Sequence, residues 1–243
     1  MLRTLLNAIG VILMLALPAS AQTADEIIAK NLQAKGGVDK LKSIATLRMS
    51  GTMTVEPGRD APFVMELKRP NQMRVDITVQ GRTMTQAFDG KVGWTLGFDG
   101  GNWPVPMPAE AVKALEAQAD FDGPLVDYQA KGSTVELVGK EAVNGTDAYK
   151  VKLTMKSGEV RYYYFDATRY LEIKVEGTMK VQGKEVVNEG TFGDYKDVDG
   201  LVFPHTTESG QKETPLKQKR TVQKLEINVP IDDSRFRSRI AIR

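Results

Sequence analysis

The sequence has no cysteine and one histidine, His205, among its 243 residues. Without thiols it has no disulfide, no thiolate nucleophile, no sulfur ligand for a metal and no attachment point for a lipid anchor. Stability must therefore come from a hydrophobic core. A lone histidine cannot supply the paired ligands of a zinc site and leaves Ser-His-Asp chemistry without support. No Gly-x-Ser-x-Gly elbow surrounds any serine, and Gly97-Phe98-Asp99-Gly100-Gly101 has the spacing of neither phosphate-binding glycine motif. No cofactor is implied. A surplus of one charge is also missing: 33 Lys and Arg face 31 Asp and Glu, interspersed along the chain. That balance excludes the basic face needed for nucleic acid. The nearest approach to a basic patch, Arg235, Arg237, Arg239 and Arg243, reads as a solvated tail.

Long apolar runs are scarce as well. The one present, Leu5 to Leu17, is too short to span a bilayer, which needs roughly 20 residues. It follows Met1-Leu2-Arg3 and precedes Pro18 and Ala19-Ser20-Ala21, the three parts of a secretory signal. Cleavage is expected after Ala21, leaving residues 22–243 as one soluble domain.

What is present is periodicity. Thr23 and Glu26 have capping-box spacing, Ile27, Ile28 and Leu32 recur at helical intervals, and Gly36-Gly37 closes the element. A second helical piece is expected over 38–44. The period then changes to two. Leu47, Met49, Gly51, Met53 and Val55 form one alternating set, Phe63, Met65 and Leu67 a second, and Met73, Val75, Ile77 and Val79 a third. Short turns at Pro57-Gly58, Pro70-Asn71 and Gln80-Gly81 make these strands antiparallel neighbours. Further strands are expected around 84–88 and 92–96. They are followed by an insertion, 97–128, rich in Gly and Pro and carrying a helix from Ala109 to Ala119. Strands resume from Val135 onward, with hairpins at Asn144-Gly145, Ser157-Gly158 and Asp199-Gly200. Ten or eleven strands suit a strongly curved antiparallel sheet, an unclosed β-barrel with an N-terminal helix and a helical lid, mainly β with some α.

Candidate chemistry is thin. Asp120, Asp122 and Asp127 cluster beside the insertion, but their spacing matches no calcium loop and reads as a turn after a helix. No metal site is implied. Methionine is the stronger signal, since five of ten (Met49, Met53, Met65, Met73 and Met84) fall in the first four strands. Methionine adapts to apolar ligands of varied shape. The residues expected to line an apolar cavity are Met49, Met53, Met65, Leu67, Met73, Val75, Ile77, Trp94, Leu96, Trp103, Met107, Leu115 and Phe121, with residues 104–125 as the gate.

Several segments resemble exported proteins described as outer-membrane lipoprotein-sorting proteins, the LolA-like family. They are the start from Thr23 through Gly36-Gly37 to Lys40-Leu41-Lys42-Ser43-Ile44, Ala87-Phe88-Asp89-Gly90-Lys91-Val92-Gly93-Trp94, Asp120-Phe121-Asp122-Gly123-Pro124-Leu125, and Gly193-Asp194-Tyr195 with Gly200-Leu201-Val202-Phe203-Pro204. The resemblance implies an unclosed barrel plugged by helices, a periplasmic location and an apolar cavity for acyl chains. The expected function is that of a non-enzymatic carrier or chaperone for a lipid or acylated lipoprotein, with an inner-membrane transporter or outer-membrane receptor as partner. The alternatives are a regulatory or scaffolding protein that docks a membrane-protein partner, and an enzyme working through Asp120 or Asp122.

Overall fold

A computed structural model describes residues 22–98, 101–181 and 184–238. The expected signal, residues 1–21, lies outside them, as do Arg239 and Arg243. Thr23 caps helix α1 (Ala24–Ala34) through the full capping box with Glu26, and α2 (Val38–Lys42) follows at once. A meander comes next: β1 (Thr46–Glu56), β2 (Arg59–Lys68), β3 (Gln72–Val79), β4 (Arg82–Phe88), β5 (Gly93–Leu96) and β6 (Val105–Pro106). Helix α3 (Ala109–Ala119) then leads into a second meander: β7 (Thr134–Val143), β8 (Thr146–Thr154), β9 (Val160–Asp166), β10 (Glu172–Val181), β11 (Lys184–Val198), β12 (Leu201–Gln211) and β13 (Gln218–Ile227). The thirteen strands among the described residues exceed the ten or eleven expected from the sequence. One source of the difference is β6, two residues inside the proline-rich insertion that pair with Trp94 and Thr95.

All thirteen strands form one antiparallel sheet in the order β6-β5-β4-β3-β2-β1-β13-β12-β11-β10-β9-β8-β7. The edges β6 and β7 do not meet, so the barrel is unclosed. The first and last long strands, β1 and β13, pair in register from Leu47↔Ile227 to Met53↔Arg220, with a shift at Ser50/Gly51. At that bulge a side chain on Gly51 would place its Cβ 1.9 Å from the Thr221 carbonyl oxygen, so glycine is required where the strands bend together. The Asn144-Gly145 and Asp199-Gly200 hairpins have positive φ at both residues, the geometry whose twist matches that of the flanking strands.

Two helices plug the concave side. Helix α1 lays Ile27, Ile28 and Leu32 against Val151, Leu153, Tyr163 and Phe165 of β8 and β9. Helix α3 lays Leu115 and Ala119 against Met73, Val75 and Phe88. No described helix is long and apolar enough to cross a membrane.

The convex face of the first meander is also covered. Residues 229–236 run back over it, fixed by Lys68 Nζ to the Ile231 carbonyl (2.8 Å) and Asp233 (2.6 Å). Arg235 donates to the buried Glu66 (2.9 Å) and to Asp76 (3.1 Å). Burial alone would push the Asp76 carboxyl up, but its bonds to Arg74 and Thr85, with Arg235 nearby, hold it below its ordinary value. Arg235 thus belongs to an ion-pair network rather than to a solvated tail.

Candidate functional site

The candidate site is the concave face of β1–β4 and β13. The pleat fixes it: Met49, Met53, Met65, Met73, Val75, Ile77 and Leu67 share one side with Leu47, Phe63, Val222 and Leu225. Met53, Met65, Met73 and Val75 are buried, while Met49, Leu67 and Ile77 are partly so. What buries them includes α3, for Leu115 is fully buried and Met107, Val112 and Phe121 pack partly against the same cluster. The helix sits directly on β5. A Cβ added at Gly93 would lie 3.1 Å from Val112 Cγ2 and 3.5 Å from Leu115 Cδ1.

Two residues expected in the lining face the other way. Gly93 points at α3, so the period-2 pleat turns Trp94 to the convex side. There its indole Nε1 donates to the Phe236 carbonyl (2.8 Å), and its ring lies beneath the Arg74 guanidinium. Leu96 shares that side, because it pairs with Thr85, whose hydroxyl donates to Asp76. Trp94 thus lies on the outer surface of the sheet under the returning C-terminal segment. Trp103 is not in the lining either, being 72% exposed beyond β5. His205 is buried and bonded within its own strand to the Phe203 carbonyl (3.1 Å).

The cover has a polar clasp absent from the sequence-based reading. Arg69, just past β2, makes a two-pronged ion pair with Asp122 beyond the C-terminal end of α3 (2.5 and 2.8 Å). The same guanidinium donates to the carbonyls of Ile44 (2.6 Å) and Leu41 (3.2 Å) and lies 4.6 Å from the Phe121 ring centroid. Those bonds hold the Asp122 carboxyl below the usual carboxylate range. The other carboxylates considered for chemistry are also paired, Asp120 with Lys131 (2.8 Å) and Asp127 with Lys42 (2.5 Å). Tyr128 donates to Asp25 of α1; burial first, and that carboxylate second, push its hydroxyl up to about 12. The segment after α3 is thus tied to both α1 and α2. Among the described residues no group of three His, Asp or Glu could hold a metal ion.

A second charged residue was also missed. Arg220, on β13 opposite Met53 and Thr207, lies along the apolar side with its guanidinium carbon 5.5 Å from the Phe63 ring centroid. Sequence offers little signal for it, because Gln218-Lys219-Arg220 reads as an ordinary polar strand start.

One unclosed antiparallel sheet curled around two helical plugs is the LolA-like fold. Known structures share it. A LolA superfamily protein from Nitrosomonas europaea superposes with a TM-score of 0.57 at 13% identity, over 90% of this chain and 99% of that one. A DUF1329 family protein from Desulfovibrio piger gives 0.60 at 13% identity, over 87% and 95%. At these identities the likeness concerns the fold alone. No protein-family profile matches the sequence. No curated protein matches it either.

Proposed function

We propose that this chain is a periplasmic carrier, exported by way of residues 1–21, that shields the acyl chain of a lipid or lipoprotein from water. The observation that supports this most is an apolar concave face beneath a helix that is itself lightly anchored. Only Leu115 and Ala119 of α3 are buried, and the polar ties lie in the residues just after it, where Asp122 pairs with Arg69, Asp127 with Lys42 and Tyr128 with Asp25. Swinging α3 aside bares Met49, Met53, Met65, Met73 and Ile77, a surface whose flexible side chains suit acyl chains of differing shape. Each methylene buried there contributes roughly 0.8 kcal/mol, so ten contribute about 8 before ordering costs. The paired state of Asp120, Asp122 and Asp127 favours binding over catalysis. In this reading an inner-membrane transporter loads the carrier and an outer-membrane receptor unloads it.

The test is native mass spectrometry with lipid extraction on residues 22–243, purified gently from the periplasm of a host with two membranes. A stoichiometric lipid or acylated protein is expected, and offered fatty acid should be taken up by wild type. A folded Met53→Asp, Met65→Asp variant should lose that uptake. A clean apo mass with no uptake would overturn the carrier reading in favour of a protein-docking role.

A further inference from the structure

Arg220 is out of keeping with its surroundings. Strand β13 is the middle strand of the thirteen, with six on either side, so Arg220 lies midway between the two sheet edges. Its neighbours on the concave side are the buried Met53 and the partly buried Thr207 on the flanking strands and, two residues on, the buried Val222. Its Nε is sealed from solvent with no hydrogen-bond partner, and no carboxylate among the described residues pairs with it. Every other described arginine either has a carboxylate within ion-pair distance or is exposed. The residue as a whole is half-buried, and it is the sealed Nε, a donor left unmade, that carries the cost. Burial alone accordingly depresses this guanidinium's proton affinity. The Phe63 face offsets part of that cost, as a ring does for a cation stacked upon it.

We infer that Arg220 is a headgroup site: its guanidinium receives the carboxylate or phosphate of an anionic amphiphile whose chain lies along Met53, Phe63 and Val222. This deepens the carrier reading and rests on it. The guanidinium fork matches either oxyanion with two parallel hydrogen bonds, which a neutral headgroup cannot reciprocate. An empty site with an unmatched cation and a filled one with a neutralised pair give the protein a preference for acidic over neutral lipids.

The experiment compares a long-chain fatty acid, the corresponding fatty alcohol and inorganic phosphate as ligands of residues 22–243, by calorimetry at neutral pH. Wild type should bind the acid about tenfold to a hundredfold more tightly than the alcohol, the range of a charge-assisted hydrogen bond. Arg220→Gln should reduce acid binding to the alcohol's level and leave the alcohol unchanged, while Arg220→Lys should keep part of the preference. The unliganded Arg220→Gln protein should melt no lower than wild type, because it loses a desolvated charge; a purely structural arginine would lower the melting temperature. Equal binding of acid and alcohol by wild type, or a preference that survives Arg220→Gln, overturns the headgroup assignment and leaves the carrier reading standing. Binding of inorganic phosphate as tight as that of the acid overturns it too, since the site would then read a small anion alone. Failure to take up either lipid overturns the carrier reading itself, and this assignment with it.

Discussion

If α3 is a removable cover, Leu115→Ala should loosen it without loosening the sheet. Leu115 is the only large residue of the helix that is fully buried, at 2% exposure; the other buried residue is an alanine. Truncating a buried leucine costs about 2–5 kcal/mol, the spread reflecting how far the site can collapse. Here the loss falls on the contact between α3 and β3–β5, where Val112 and Met107 are only partly buried. At about 1.4 kcal/mol per factor of ten, opening of the helix should become roughly thirty-fold to several-thousand-fold more frequent. Native-state hydrogen exchange separates that from global unfolding. Amides of α3 should lose protection by that factor, while those of β8, β9 and β11 hold theirs. Fatty-acid uptake should quicken in parallel. If α3 and the strands lose protection equally, the helix unfolds only with the whole domain, and the idea of a separable cover is wrong.

The Arg69–Asp122 clasp makes a pH-dependent prediction. A carboxyl whose folded pKa is depressed contributes stability above its unfolded value, and that contribution fades as pH falls through the folded one. Asp122→Asn should therefore destabilise the protein by about 1–2 kcal/mol near neutral pH, and the gap between the two melting curves should close below about pH 4. A gap unchanged down to pH 3 would mean that the charge on Asp122 does not matter. On the convex face, deletion of residues 233–243 should cost about 3 kcal/mol or more in urea denaturation, chiefly from Phe236, which is fully buried. In a Trp103→Phe background the emission of Trp94 should shift to the red; an unshifted spectrum would show that the C-terminal segment does not cover it.

Much of the architecture was legible because local signals and tertiary packing agree. Thr23 with Glu26, the Met49-Gly51-Met53 alternation and the alanine-rich 109–119 stretch each state their own structure, and the pleat then assembles the methionine face. Trp94 shows where that reasoning stops. An aromatic beside an apolar face reads as part of it, but which side a four-residue strand presents depends on the phase of its pleat, and Gly93 took the inward position. The cover for Trp94 arrives from a segment more than a hundred residues later in the chain. Arg69 and Asp122 were equally opaque, because their pairing joins the end of a strand to the end of a distant helix. Arg220 hides behind a shift of phase. The bulge opposite Ser50/Gly51 breaks the alternation between Val222 and Leu225, so counting back from Leu225 places Arg220 on the wrong side.

The position of β13 has a consequence for how the chain is made. A ribosome releases it last among the strands, yet it belongs at the centre of the sheet, beside the strand released first. Until it emerges, β1 has an open flank and the two meanders are separate sheets, each half covered. Pairing across some 180 residues is slow to find, because the closure entropy of so long a loop comes before any contact rewards it. Damage to β13 therefore does not fray an edge; it divides the sheet down its middle.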